Sequence, residues 1–492
     1  MHLTLINGPW FFGKRLEFLS QNLGLAYLAA CLREAGHEIT ILDAVAEAPT
    51  QRTCVRLKYQ TVYRWGLDYP EIVQRIPVRT EAIGITVPFT NNRIIAQELS
   101  SAIKVRYPDI PLLLGGVFPS TQPAEALFPA VDYVIRGEGE HAIVAFANGV
   151  SPNKIPGFVF RRDGEVAETG PVTFERNPDL FPFPARDLLP METYVRHSPR
   201  GLIGRRSASL ISSRGCPFQC NYCSVHPVAG RLWRPRAAER VLEEIDQLVE
   251  RWQINHLEFE DDNMTIDLDR VKAILNGLIE RRKKGIPLTW ENPNGIRTET
   301  LDEEFVAMCP PSGNRTLYLP VEHGSRDMLK KMNKVQDLEA VERVIGWCGK
   351  HGVRTVIFFI VGYPGETDAL WREGWEYART LRRLGATRFE VFIAKPYPGT
   401  RLYEECKTRN HLIHPDAENV VYDMDFAGVR TPEFMEWEIL RRRRVMKWDL
   451  NPKSATLKAA VSGILPGCLF RRLKAIQERW IGPKEKDEEV NH

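Results

Sequence analysis

Short apolar runs alternate, over the first 150 residues, with stretches in which apolar side chains recur every three or four positions. Leu3 to Ile6 is a strand-length run closed by Asn7-Gly8-Pro9; Leu25, Leu28, Ala29 and Leu32 then keep helical spacing until Gly36, and Ile39 to Leu42 is a second strand ending at Asp43. After a less regular region come the strand Ala82 to Thr86, a helix from about Asn91 to Arg106, and the strand Leu112 to Leu114 ending in Gly115-Gly116. A short helix near Ala124 and the strand Val131 to Ile135 follow, and Gly137-Glu138-Gly139-Glu140 opens another helix. Such alternation predicts a doubly wound, Rossmann-like parallel sheet over residues 1–148. Ligands of these sheets lie across the carboxyl ends of the strands. Thr86, Thr90, Gly115, Gly116, Gly137, Glu138 and Gly139 are therefore the candidate cofactor-binding residues of this half.

Residues 149–206 are rich in Pro, Gly and Arg and read as a linker carrying a small hairpin, Gly157 to Val166, that turns at Asp163-Gly164. From Ser207 the alternation resumes. Ala238, Val241, Leu242, Ile245, Leu248, Val249 and Trp252 give four helical turns, and Val271, Ile274, Leu275, Leu278 and Ile279 a further helix. Strands are expected at Ser207 to Ile211, Leu257 to Phe259, Leu288 to Trp290, Thr316 to Val321, Thr355 to Val361 and Arg388 to Ala394. Six βα units are too few for an eight-stranded barrel, so residues 207–405 predict a partial, TIM-like (β/α)6 barrel. Residues 406–492 read as a helical, basic C-terminal region. The fold class is α/β throughout.

Composition changes this picture little. At 492 residues the chain is long enough for two or three domains, and 43% hydrophobic with 26% charged residues is ordinary for a globular protein. A net charge of +3 gives no electrostatic reason to expect nucleic acid. The longest apolar run, Val356 to Val361, falls far short of the ~20 residues a membrane span needs. Met1 to Ile6 reads as a strand and not as a cleavable leader, and a cytoplasmic setting is expected.

The chemistry gathers where strands of the second half end. Cys216, Cys220 and Cys223 follow the first strand with C-x3-C-x2-C spacing. Three thiolates so close can hold three irons of a cubane and leave the fourth iron open. A zinc site with His226 as fourth ligand, disulfides, and three inert buried thiols are the competing readings. Glu260, Asp261 and Asp262 end the second strand; Asn292, Asn294 and Arg297 follow the third, Glu322-His323-Gly324-Ser325 the fourth, Gly362 to Thr367 the fifth and Lys395 to Thr400 the sixth. One such cluster is ordinary loop polarity, but six at one barrel end are hard to read as structural. Cysteines 31, 54, 309, 348, 406 and 468 are scattered and read as core residues.

Two sets of motifs resemble a known family. Asn22 to Ala29, Gly36-His37, Leu42-Asp43-Ala44, Gly115-Gly116 and Gly137 to Glu140 are similar to the cobalamin-binding domain of the cobalamin-dependent radical S-adenosylmethionine (SAM) enzymes. Arg214-Gly215-Cys216-Pro217 with its cysteine spacing, Phe259 to Asn263, Val321 to Ser325 and Gly362 to Thr367 resemble the radical SAM domain of that family. The resemblance implies a 4Fe–4S cluster on Cys216, Cys220 and Cys223, the metal ligands and catalytic residues. It also implies SAM near Asp261 or Asp262 for its ammonium, Asn294, Glu322 for its ribose, Ser325, and Gly362 to Gly365 for its adenine, with cobalamin in the first half. No D-x-H-x-x-G is present, so no histidine is placed as a lower cobalt ligand; Phe89 is a candidate to cover that face. The implied activity is radical methylation of an unactivated carbon, with flavodoxin or ferredoxin as electron donor and a small-molecule or lipid-like substrate. Alternatives are a non-methylating radical oxidoreductase or cyclase, as in anaerobic tetrapyrrole ring closure, and a non-catalytic cobalamin- or iron–sulfur-binding regulator. Residues 441–492 hold 13 Lys or Arg against 6 Asp or Glu; the preferred reading is a helical cap with a solvated basic face, the sharper one a peripheral membrane contact.

Overall fold

A computed structural model describes residues 1–12, 16, 19–197, 205–414 and 426–451. The first sheet contains β1 (His2–Asn7), β2 (Glu38–Asp43), β3 (Ala82–Thr86), β4 (Leu112–Gly115), β5 (Tyr133–Ile135), β6 (Phe158–Arg162) and β7 (Glu165–Glu168). Its order is β7-β6-β5-β4-β3-β1-β2. Strands β1 to β5 pair in parallel, in the order 2-1-3-4-5 of a doubly wound sheet, so the direction of winding reverses between β1 and β3. The expected linker hairpin is a continuation of this sheet: β6 pairs antiparallel with β5. Helix α1 (Leu23–Glu34), capped by the Asn22 side chain, and α2 (Glu140–Ala147) pack against each other and cover one face.

Two features of this half lie outside what periodicity predicts. The less regular region is an antiparallel three-stranded sheet of Trp10–Phe12, Thr61–Trp65 and Arg52–Arg56. The linker, expected to lack core character, buries Phe181, Ala185, Leu189, Met191 and Tyr194. From it Arg186 reaches 2.7 Å to Glu244, a buried carboxylate that Arg236 also meets at 2.5 Å.

Among its described residues the second half has six barrel strands, parallel in two ladders. β8 (Ser207–Leu210), β9 (His256–Phe259) and β10 (Thr289–Glu291) form one; β11 (Thr316–Glu322), β12 (Arg354–Val361) and β13 (Arg388–Ile393) form the other. Helices α3 (Ala238–Trp252), α4 (Leu268–Lys283), α5 (Glu303–Ser312), α6 (Leu338–Lys350) and α7 (Asp368–Arg383) flank them. The apolar sides of these elements form one core in which Leu257, Phe259, Leu317, Leu319, Ile357 and Phe389 are wholly or almost wholly buried.

The basic helix α8 (Glu436–Leu450) differs from expectation. Its run of four arginines is not a solvated face, because Arg442 and Arg443 are buried. Arg443 Nε donates to the Val391 carbonyl, and Asn451 bonds both the N–H and the C=O of Phe389. The helix thus satisfies backbone groups along the outer edge of β13, the strand a partial barrel leaves without a neighbour. The proposed membrane-contacting segment, residues 452–492, lies outside the described residues. Among those described, no helix is long and apolar enough to cross a membrane. Of the scattered cysteines, Cys309, Cys348 and Cys406 are core residues, Cys31 is half-buried and Cys54 is exposed.

Candidate active site

Beyond β8 the chain forms a two-residue antiparallel ladder, Ser213–Arg214 against Arg234–Pro235, that closes the cysteine loop at its base. Gly215 follows at φ +81°, where a Cβ would lie 2.4 Å from the Leu232 carbonyl oxygen, so no other residue makes this turn without moving backbone. Cys216, Cys220 and Cys223 are free and half-buried. Burial raises the pKa of Cys216 and pushes that of Cys223 up to about 12, and neighbouring negative charge adds to both. His226 Nε2 lies 3.1 Å from the Cys216 carbonyl oxygen, a bond that occupies one of its two ring nitrogens. Among the described residues no three His, Cys, Asp or Glu converge on a single ion. Thiolates that each serve a different iron of one cluster have no need to.

The acidic cluster after β9 divides its work. Asp261 is fully buried and accepts from the Ser212 N–H at 3.0 Å, the Ser212 hydroxyl at 2.7 Å and the Ser213 hydroxyl at 2.5 Å. Its carboxylate ties β8 to β9 and is spent on protein donors. Asp262 accepts from the Gly215 N–H at 3.1 Å and faces an interdomain cavity. There it is open to the cavity yet ringed by protein, which raises its pKa to about 6. Glu260 lines the same cavity, and Asn294 donates to it at 3.3 Å. The Asp261→Ala variant is expected to strand three buried donors, at a stability cost of about 3 kcal/mol or more. Thermal unfolding of this variant should show a clear loss, with Asp262→Asn close to wild type.

Glu322 ends β11 at φ +68°, beside a register shift between Pro320 and Glu322. A side chain held in that region is strain retained by its surroundings. Burial raises its carboxyl pKa, against the opposing pull of Lys334, 3.9 Å away, and of a hydrogen bond from Tyr222. Two buried polar atoms near these strand ends lack a protein partner, Asn292 Oδ1 and Ser325 Oγ. A ligand with donors and acceptors fits such orphans. The glycines after β12 have a different explanation. Gly362 and Gly365 sit at φ +74° and +83°, a backbone region that favours glycine, and a Cβ on Gly362 would also meet Ile439 of α8 at 2.7 Å.

That loop depends on α8. Glu366, fully buried, accepts the Gly362 N–H at 2.8 Å and meets Arg442 at 3.2 Å and His323 Nε2 at 3.2 Å. Replacing Arg442 by methionine leaves a buried carboxylate without its cation and should cost about 3–5 kcal/mol. Limited proteolysis should then cut near Gly362 to Thr367 sooner than in the wild type.

The candidate residues of the first half surround the cavity of about 300 Å³ that Asp262 faces. Leu5, Gly84, Thr86 and Leu113 from the sheet, Leu25, Tyr27 and Leu28 from α1, and Gly115, Gly116, Gly137, Glu138 and Gly139 from the loops form its wall. Ser213, Arg214, Ala229, Glu260 and Asp262 of the second half also line it. Gly116, at φ +107°, could not bear a side chain, since a Cβ would sit 2.8 Å from the Val87 carbonyl oxygen; at Gly115 a Cβ would meet nothing within 4 Å. An apolar space floored by glycine fits a large, flat-sided cofactor. Thr90 and Phe89 are not among these wall residues. Thr90 opens the short turn Thr90–Asn92, and Phe89 packs edge-on against Trp10 with ring centroids 5.7 Å apart. Glu138 is on the wall, but its carboxylate is held by Arg214 and Arg234. The sequence reading missed these two arginines as site residues. Arg214 stood in plain view inside the cysteine motif, and only its partner was hidden.

Fold and site together define a two-domain α/β protein in which a nucleotide-type sheet and a partial barrel share one cavity beside a three-cysteine loop. Residues 10–147 match the B12 binding domain and residues 210–373 the radical SAM superfamily. The chain is a cobalamin-dependent radical SAM protein, and these domains imply cobalamin, a 4Fe–4S cluster and SAM as its cofactors. It is 29% identical over 403 residues to an uncharacterized methyltransferase of Pyrococcus horikoshii, covering 80% of this chain and 79% of that one. It is 28% identical over 442 residues to the cytidylyl-2-hydroxyethylphosphonate methyltransferase of Streptomyces wedmorensis, covering 82% and 80%. An anaerobic magnesium-protoporphyrin IX monomethyl ester cyclase of Synechocystis is 25% identical over 357 residues, covering 70% and 65%. The radical SAM methyltransferase TsrM of Kitasatospora setae, solved with cobalamin and a 4Fe–4S cluster bound, superposes with a TM-score of 0.67 at 18% identity, covering 91% of this chain and 88% of that one, which shows a common fold.

Proposed function

We propose that this protein is a methyltransferase that places a methyl group from SAM, by way of cobalamin, on an unactivated carbon of a small-molecule or lipid-like metabolite. The observation that carries the reading is the single cavity whose wall joins Gly115, Gly116 and Gly137 to Gly139 to Arg214, Glu260 and Asp262 beside the cysteine loop. Two methyltransferase relatives, 29% and 28% identical, are matched over 79% and 80% of their own length, whereas two cyclases, 25% and 22% identical, are matched over 65% and 62% of theirs, which supports methyl transfer over ring closure. When bound, the cluster with SAM supplies hydrogen abstraction from carbon and cobalamin supplies the methyl group.

The chain's own residues have definite tasks in this reading. Cys216, Cys220 and Cys223 would hold the cluster, whose chemistry with SAM is the hydrogen abstraction. Asp262, ionised above about pH 6 and facing the cavity, suits the ammonium of SAM better than Asp261, which is fully buried and bonded to three protein donors. Glu322 accepts from the ribose hydroxyls, and Asn292 and Ser325 offer polar atoms that protein leaves unpaired. Leu5, Leu25, Leu28 and Leu113 keep water from the reacting carbon. A flavodoxin or ferredoxin in the cytoplasm delivers the electrons.

SAM labelled in its methyl group tests the assignment. Label found in the product is the expected result. Deoxyadenosine formed with no label transferred would replace methyl transfer by a cyclase-like radical reaction, and neither would leave a cofactor-binding regulator.

A further inference from the structure

The residue two positions before the first cluster cysteine is held almost entirely by the other domain. Arg214 lies 3.3 Å from Glu138 Oε1 and 2.8 Å from Glu140 Oε1. Its guanidinium also sits 4.8 Å from the ring centres of both Tyr27 and Phe181. All four partners precede residue 207. Glu138 is shared with Arg234, whose Nη1 and Nη2 donate to its two oxygens at 2.8 Å and 2.7 Å. Arg234 is in turn the ladder partner of Arg214. Every side chain in this group is at most 12% exposed. Burial opposes the charge on Arg214, and Glu140 and Glu138 more than offset it, holding its pKa above the usual value.

The group lies between two places that must respond to ligands. On one side, Gly137 and Gly139 bracket Glu138 in the cavity wall and Glu140 opens α2. On the other, the backbone passes from Arg214 to Gly215, whose N–H is bonded to Asp262, and then to Cys216. Buried charge pairs with fixed donors yield little to small movements, so a shift of the Glu138 to Glu140 segment carries Arg214 with it. A planar fork can meet two carboxylates and stack on two rings at once, which lysine cannot do.

We propose that Arg214 is a positioning residue that couples occupancy of the cobalamin cavity to the geometry of the cysteine loop, through Glu138 and Glu140. The inference rests on the reading that both cofactors bind as described above. A salt bridge that only joined two domains would make no cofactor sense the other. Coupling makes each cofactor change the affinity of the other by the same factor.

The test uses the full chain, reconstituted anaerobically with its cluster. The dissociation constant for SAM is measured with and without saturating hydroxocobalamin, and the electron paramagnetic resonance spectrum of the reduced cluster is recorded in both states. Wild type is expected to show a shift in SAM affinity of about fivefold or more, within the usual range of coupling between sites, and a changed spectrum. Arg214→Gln, and from the other domain Glu138→Gln with Glu140→Gln, should reduce the shift below about twofold and leave the spectrum indifferent to cobalamin; Arg214→Lys should restore part of it. If Arg214→Gln fails to assemble a cluster, the glutamine pair, which changes no residue of the cysteine loop, decides. Wild type that binds both cofactors with no shift in affinity or spectrum overturns the proposal, as do variants that keep the wild-type factor. A chain that takes up no cobalamin or no iron would instead overturn the proposed function.

Discussion

A variant with alanine at Cys216, Cys220 and Cys223 is expected to remain folded, to carry no iron–sulfur absorbance after anaerobic reconstitution, and to form no deoxyadenosine from SAM. The fold should survive because residues between the cysteines, and not the thiols, pin the loop. Asn221 N–H donates to the Met332 carbonyl and its side chain to the Lys331 carbonyl, both at 2.9 Å; Leu402 N–H donates to the Asn221 carbonyl at 2.9 Å and the Asn333 side chain to the Gln219 carbonyl at 2.6 Å. Iron uptake should fail because nothing nearby replaces the thiolates. The raised pKa values of Cys216 and Cys223 add a pH signature: metal must displace protons from these two thiols, neutral near pH 7, so reconstitution of the wild type should improve as pH rises. Iron content, absorbance and deoxyadenosine are the three readouts, and full SAM cleavage by the triple variant would remove the cluster assignment.

Gly115→Leu should cost the protein its cobalamin while leaving the fold alone. At this position a Cβ meets no atom within 4 Å, and the residue lines the cavity at the end of β4. A leucine there enters the cavity with its Cβ in open space. Forcing a ligand against a well-packed side chain costs about 1–3 kcal/mol, so affinity for hydroxocobalamin should fall by roughly thirtyfold at 2 kcal/mol. The neighbouring Gly116→Leu is the contrast: its backbone conformation and the Val87 carbonyl forbid a side chain, so that variant should lose thermal stability as well. Absorbance titration reports the affinity and thermal unfolding separates the two. Unchanged cobalamin binding by Gly115→Leu would show that the cofactor lies elsewhere.

Most strands and helices were legible in the chain, because an alternating or 3.6-residue apolar rhythm is imposed by the element itself. The places where the reading failed are instructive. The strands Arg52–Arg56 and Thr61–Trp65 carry arginine, threonine and cysteine on an exposed face, which hides their periodicity. Arginines 442 and 443 look like a solvated charge run, yet the outer edge of β13 and the buried Glu366 supply the acceptors that take them out of water. Asp261 and Asp262 are neighbours with the same chemistry, and only their surroundings separate a structural tie from a group open to the cavity.

What the sequence determined by itself was the class of chemistry. The three cysteines of the loop fall within eight positions, and the glycines of the first half sit directly after their strands, so local spacing carries the information. Tertiary structure alone decided which distant charges meet, between the halves and within the second half. Glu138 and Arg234 are 96 residues apart, and Arg442 and Glu366 are 76 apart; nothing in the spacing of such pairs marks them as partners. Their energy comes from burial, which turns weak surface charges into fixed contacts, and burial exists only once the elements that carry the partners have packed against each other.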